Sequence, residues 1–364
     1  MSGTIRMMRA GARWLLALAV CAGLHAAAWA EAAPAAVRIG VASPAPGIPP
    51  VFTSGAVGLA YTKGWLQEAF AGTGTRVEFL FFKGAGPAVN EALTNGQVDF
   101  AFQGDLPSII GRAGGLKTRL LMASGTLVNI YLAVPPDSPV RSLKDLRGKR
   151  VALFKGTNSQ LPINRLLEAN GLSERDIRTV NLDNASAKAA LVTRDIDAVF
   201  GGYDLLQLRD AGQARIVYSS RGDSPVFTRQ SHLLATESFA SRYPDATQRV
   251  VTAVVRAAHW GSEDAHRDET LALWARMGVP QAHLLEDLGE RPVRARLSPL
   301  FDPFLVARYQ DAVEQAPRFR LTRTRFAVEP WIDRRFLDRA LTELKLEHYW
   351  TANDAQGRAL AAAR

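Results

Sequence analysis

Short apolar runs alternate with helical patterns along most of this chain, and that alternation restricts the fold more than any other feature. Residues 37–42, 77–82, 98–102 and 118–123 read as strands. Between them, Thr53 or Ser54 caps a helix through Tyr61, Trp65 and Phe70. Residues 87–94 form a helix ended by Asn95-Gly96, and Gln103-Gly104-Asp105 opens another with Pro107 in its first turn. The rhythm restarts after Pro135-Pro136. Residues 142–146 form a short helix, residues 151–154, 178–182, 197–200 and 214–218 form strands, and residues 185–192 form a helix. This order predicts parallel βαβ units. Residues 232–235 read as a strand crossing back, and beyond Pro244 helices are expected at 247–260, 269–277, 281–288, 303–314 and 331–344. The fold class is therefore α/β: two lobes with parallel-rich sheets flanked by helices, followed by a helical C-terminal tail. Lobe I takes residues 37–130 and 231–345, and lobe II takes residues 137–225. Crossings near residues 130–134 and 226–235 would make a two-stranded hinge.

The chain has 364 residues, enough for two domains. Its first 30 residues read as a signal peptide. Arg6, Arg9 and Arg13 precede an apolar run over residues 14–24, too short to span a bilayer, and Ala28-Trp29-Ala30 is an A-x-A site with cleavage expected after Ala30. The lone Cys21 leaves with that leader; a lipid-anchor reading ranks second because Val20 fits the preceding position poorly. A periplasmic protein without disulfides is expected, held together by core burial. Loss of three arginines lowers the net charge from +9 to +6. The densest basic group, Arg318, Arg320, Arg323 and Arg325, reads as a solvated surface, so no nucleic-acid partner is expected.

The stretch from Lys149 to Asn170 carries the candidate site. A buried strand turns sharply at Gly156, and Thr157, Asn158 and Ser159 precede a helical pattern. Backbone N–H groups and the helix dipole there attract an anion. Thr157, Asn158, Ser159 and Gln160 are therefore expected to grip a small oxyanion with neutral donors. Gln103 and Gly104 lie at a strand's carboxyl end, where open α/β sheets bind ligands. Asp105 reads as a helix cap, since a carboxylate repels an anion. Ser43, after the first strand, adds a contact; Tyr203 covers an organic group; His232 is a satisfied histidine at the crossing. Gly84-Ala85-Gly86 lacks the third glycine of a dinucleotide loop, and His259 and His266 lack zinc spacing. No cofactor or metal is expected. Gly222-Asp223-Ser224 keeps a serine hydrolase using Ser224 open as a second class of function.

The chain resembles periplasmic solute-binding proteins of ABC importers, in the aliphatic sulfonate, taurine and nitrate group. The matching residues, in order, are Val37-Arg-Ile-Gly40, Gly84-Ala-Gly-Pro87, Glu91-Ala-Leu-Thr-Asn-Gly-Gln-Val-Asp99, Gly104-Asp-Leu-Pro107, Asp137-Ser-Pro-Val-Arg-Ser-Leu-Lys-Asp-Leu-Arg-Gly-Lys149, Lys155-Gly-Thr-Asn-Ser159, Asp195-Ile-Asp-Ala198 and Arg291-Pro292. The resemblance implies a two-lobe periplasmic-binding-protein fold of type II. It also implies a monomeric, non-enzymatic clamp that delivers a small anionic ligand to an inner-membrane permease. An aliphatic sulfonate is the implied ligand, with nitrate, bicarbonate or a pyrimidine as alternatives. Two departures stand out. Gly201-Gly-Tyr-Asp204 replaces the Trp-Asp-Pro-Tyr usual in alkanesulfonate binders, and Gly156-Thr-Asn-Ser-Gln160 replaces Gly-Ser-Ser-x-His.

Overall fold

The computed structural model describes residues 33–360. The expected leader, its cleavage site and Cys21 lie outside them. Ten strands form two five-stranded sheets. The first contains β1 (Ala36–Val41), β2 (Arg76–Phe81), β3 (Phe100–Gly104), β4 (Thr118–Ala123) and β10 (Ser231–Thr236), in the order β2-β1-β3-β10-β4. The second contains β5 (Tyr131–Val134), β6 (Arg150–Leu153), β7 (Arg178–Asn181), β8 (Ala198–Gly201) and β9 (Arg215–Ser219), in the order β7-β6-β8-β5-β9. β1 pairs parallel with β2 and β3, and β6 pairs parallel with β7 and β8.

Each sheet carries one strand of opposite direction. β10 is antiparallel to β3 and β4, and β5 is antiparallel to β8 and β9. Both follow a crossing from the other sheet, so they enter at the end where their neighbours finish. The two crossings run side by side. Val128 and Arg229 form an antiparallel bridge with N–H···O distances of 3.2 and 2.8 Å. The hinge is thus two-stranded, as expected, with its bridge just before β5 and β10.

Both sheets are covered on both faces, as parallel strands require. One face of the first sheet meets the helices Gly55–Thr62, Pro244–Ser262 and Arg334–Leu344 through Val41, Leu59, Val254 and Leu337. Its other face meets Asp105–Ala113 and Pro303–Arg318 through Leu106, Leu234, Tyr309 and Trp331. The second sheet lies between Ile163, Leu166 and Leu167 on one side and Ala187, Leu191 and Leu206 on the other. The long helix Pro244–Ser262 starts on a proline that needs no N–H partner and presents Val250, Val251, Val254 and Val255 inward.

Some boundaries differ from the sequence expectation. The helix expected through Phe70 breaks at Gly64, whose φ of 72° ends Gly55–Thr62 and starts Trp65–Ala69. The last expected helix begins at Arg334, because Glu329–Trp331 forms a 3₁₀ turn around Pro330. Residues of the tail also reach the second sheet. Gln207 Nε2 donates to the Gly278 carbonyl at 2.7 Å, and Arg209 forks onto Glu286 at 2.6 and 2.9 Å. Among the described residues no helix is long and apolar enough to cross a membrane.

Candidate functional site

The six strands that pair in parallel end at one place. Ser43 follows β1, Lys83 follows β2, and Phe102 is the middle residue of β3. Phe154 follows β6, Asp183 follows β7, and Gly202 follows β8. These residues line a cleft of about 660 Å³, together with Val128 and Arg229 of the hinge. Convergence of carboxyl ends is where open α/β sheets place ligands, because the crossovers leave a crevice there.

Of the residues singled out in the sequence, Ser43, Thr157, Asn158, Ser159 and Tyr203 line this cleft. Gly156 adopts φ 73°, which turns the chain after β6 without a β-carbon clash. Among the described residues, the backbone N–H groups of Thr157 and Asn158 donate to no backbone acceptor. The Thr157 hydroxyl donates to the Phe154 carbonyl at 2.7 Å, and Ser159 makes no capping bond despite preceding the helix Gln160–Ala169. Asn158 reaches across to the hinge strand, its Nδ2 3.3 Å from Ser231 Oγ. The Ser43 hydroxyl donates to the Pro44 carbonyl at 3.0 Å.

The other three residues do not line the cleft. Gln160 is buried with both ends of its amide engaged: Oε1 accepts from Gly156 N–H at 2.8 Å, and Nε2 donates to Glu174 at 2.7 Å. It braces the turn. Gln103 and Gly104 border an adjoining recess of about 60 Å³, which shares Ala42, Ala85, Phe102, Thr157, Asn158 and Ser231 with the cleft. Gln103 Nε2 is committed to Ser108 Oγ at 2.9 Å and Asn90 at 3.2 Å. Gly104 faces Asn158, and a β-carbon there would sit 2.1 Å from Asn158 Cβ. Asp105 is the first residue of its helix, with Gly104 as the cap, and its Oδ1 accepts from Leu106 N–H at 2.8 Å. Burial pushes its carboxyl up to about 6. His232 is fully buried between Ser108 Oγ, at 2.8 Å from Nε2, and the Tyr309 hydroxyl at Nδ1. Burial pushes its imidazole down to about 3.

The expectation of an all-neutral grip needs correction, because the cleft is cationic. Lys83, Lys188, Arg229 and Arg296 line it, against the carboxylates Asp183 and Asp204. Lys188 pairs with Asp204 at 3.0 Å, and Arg296 pairs with fully buried Asp287 at 2.6 Å. Asp183 is occupied by its helix, accepting from Ala185 and Ser186 N–H. That bonding, together with Lys83, holds its carboxyl below the usual range. Phe102, Phe154, Tyr203, Trp274, Met277 and Val279 supply an apolar wall. Burial raises the Tyr203 hydroxyl above its ordinary value. Two donors on the wall, Arg229 Nε and Trp274 Nε1, are shut off from solvent without an acceptor. Lys83 was legible as the residue after a strand's carboxyl end. Arg296 and Trp274 come from the helical tail, and nothing local in the sequence marks them.

The description of the NMT1/THI5-like family matches residues 54–266, more than half of the chain. The chain belongs to that family. The NMT1/THI5-like fold seen here is similar to a periplasmic sulfonate-binding protein of a sulfonate ABC transporter from Methylobacillus flagellatus. The TM-score is 0.77 at 31% identity, covering 89% of this chain and 98% of the other. It is also similar to the alkanesulfonate-binding protein of Xanthomonas axonopodis bound to MOPS, with a TM-score of 0.70 at 25% identity, covering 84% and 100%. In sequence, an aliphatic sulfonates-binding protein of Bacillus subtilis is 25% identical over 296 residues, 78% of this chain and 84% of the relative.

Proposed function

We propose that this NMT1/THI5-like chain is the substrate-binding component of an ABC importer and captures an organosulfonate. The observation that carries the reading is the composition of the cleft: cations and unengaged N–H groups beside an aromatic and aliphatic wall. A sulfonate presents a permanent single charge on three acceptor oxygens joined to an apolar tail, which matches both halves. The volume of about 660 Å³ falls within the range for drug-sized ligands, roughly 300–1,000 Å³. Nitrate or bicarbonate would leave most of it empty. A pyrimidine would leave Arg229 without a counter-charge.

The hydrolase alternative has less support. Ser224 lies outside the residues that line the cleft, on a 3₁₀ turn where its own N–H donates to Asp223. Binding without turnover fits a site of donors and apolar walls. Export to the periplasm and action as a monomer that hands its ligand to an inner-membrane permease complete the proposal. The family relatives that bind sulfonates support it.

A thermal-shift screen followed by calorimetry tests the ligand class. Pentanesulfonate and benzenesulfonate should stabilise the protein, by about 2.7 kcal/mol at a hundred times Kd. Nitrate, bicarbonate and uracil should not. Stabilisation by one of those three alone, or labelling of Ser224 by a covalent serine probe, would overturn the reading. Mass spectrometry of the exported protein should find Glu31 as its first residue; a retained Met1 chain in the cytosol would overturn the localisation.

A further inference from the structure

Arg229 differs from every other cation of the cleft. Lys188 and Arg296 have carboxylate partners, at 3.0 and 2.6 Å. Lys83 is exposed and hydrated beside Asp183. Among the described residues, Arg229 takes part in no ion pair. Its Nη2 reaches only the Asn129 carbonyl, at 3.5 Å, and its Nε is shut off from solvent with no acceptor. Gly202, another cleft residue, leaves room for the guanidinium, since a β-carbon there would be 2.7 Å from Nη2. A partly desolvated charge without an ion-pair partner is costly, and such groups are kept where an opposite charge arrives from outside.

Resting on the sulfonate reading above, we propose that Arg229 is the anchor for the ligand's anionic head group and the residue that selects a charged ligand over a neutral one. The backbone of the same residue forms the hinge bridge with Val128, at 2.8 and 3.2 Å. Charge recognition is therefore seated on the element about which the two sheets would move, and the Asn158–Ser231 contact beside it joins the turn after β6 to the hinge strand. Gly202 follows from the same argument. Its lack of a β-carbon, which would sit 2.7 Å from Nη2, gives the guanidinium its space.

The test pairs two probes with two variants. Pentanesulfonate and benzenesulfonate are titrated beside their neutral methyl sulfones, by calorimetry, into the parent, Arg229→Gln and Arg229→Lys. The parent should prefer each sulfonate strongly. Arg229→Gln should lose roughly ten- to a hundredfold in sulfonate affinity while its sulfone affinity stays within about threefold. Arg229→Lys should fall between them. Unfolding curves of the variants check that the hinge survives. If Arg229→Gln discriminates sulfonate from sulfone as the parent does, the anchor is overturned and the functional proposal stands. If the parent binds neither sulfonate, the functional proposal falls, and the anchor with it.

Discussion

His232 offers a prediction whose size follows from its surroundings. Ser108 Oγ donates to the Gly104 carbonyl at 3.0 Å, so its contact with His232 Nε2 at 2.8 Å assigns the imidazole proton to Nε2. Nδ1 then accepts from the Tyr309 hydroxyl. The ring edge lies 6.3 Å, centroid to centroid, from Trp331. The neutral ring is satisfied, and no ion pair is available to a protonated one among the described residues. Burial accordingly lowers its value from 6.5 to about 3. A depressed base contributes stability that is complete above pH 6.5 and is lost as pH falls towards 3. The full span is about 5 kcal/mol, and roughly 3 kcal/mol of it is lost by pH 4.5. The perturbation is His232→Asn, which keeps a donor and an acceptor but does not titrate. Urea unfolding of parent and variant, followed by tryptophan fluorescence between pH 7.5 and 4.5, isolates the effect as a difference. The variant should be the less stable at pH 7.5, since it leaves a cavity, and the gap should shrink by roughly 3 kcal/mol at pH 4.5. A gap that stays constant across this range would refute the assignment of a neutral, titration-resistant His232.

Asp105 should behave in the opposite sense: its carboxyl is raised from 3.8 to about 6 by burial, so its favourable contribution is lost as pH rises through 6. Asp105→Asn should gain on the parent by roughly 2.4 kcal/mol between pH 4 and pH 7.5 in the same urea assay, and an unchanged difference would show that burial does not raise the Asp105 carboxyl. Gly104→Ala places a β-carbon 2.1 Å from Asn158 Cβ; calorimetry should find weaker sulfonate binding with folding retained, and Asn158→Gly in the same chain should restore it. Asp287→Asn keeps an amide oxygen for Tyr131 and Asn129 but puts an NH2 in place of the Oδ2 that pairs with the buried Arg296 guanidinium, which is left without its counter-charge. A loss of about 3–5 kcal/mol in unfolding free energy is expected, and a loss below 1 kcal/mol would show that the Arg296–Asp287 pair does not contribute to stability.

Much of the fold was legible because its signals are local. A run of apolar residues bounded by glycine marks a parallel strand, whatever the strand packs against, and Thr118–Ala123 and Gln281–Leu288 fall where the sequence places them. The turn at Gly156 was legible for the same reason, since only glycine accepts that backbone cheaply. Ser43, Thr157, Asn158, Ser159 and Tyr203 reach the cleft because they follow strand ends or open a helix, and strand ends meet in any fold of this class.

What the sequence could not decide is where a polar side chain spends its hydrogen bonds and which charges survive pairing. Gln160 stands next to three cleft residues, yet Gly156 and Glu174 consume its amide. Arg296 and Trp274 enter the cleft from a tail more than a hundred residues beyond the turn they face. Asp287 cancels the charge of Arg296, while among the described residues Arg229 forms no ion pair. The sequence by itself determined the order and type of the elements and hence where a ligand would sit, because periodicity and turn chemistry act between near neighbours. Only the tertiary structure decided which cation is left for the ligand, because ion pairing and desolvation depend on groups that meet through space.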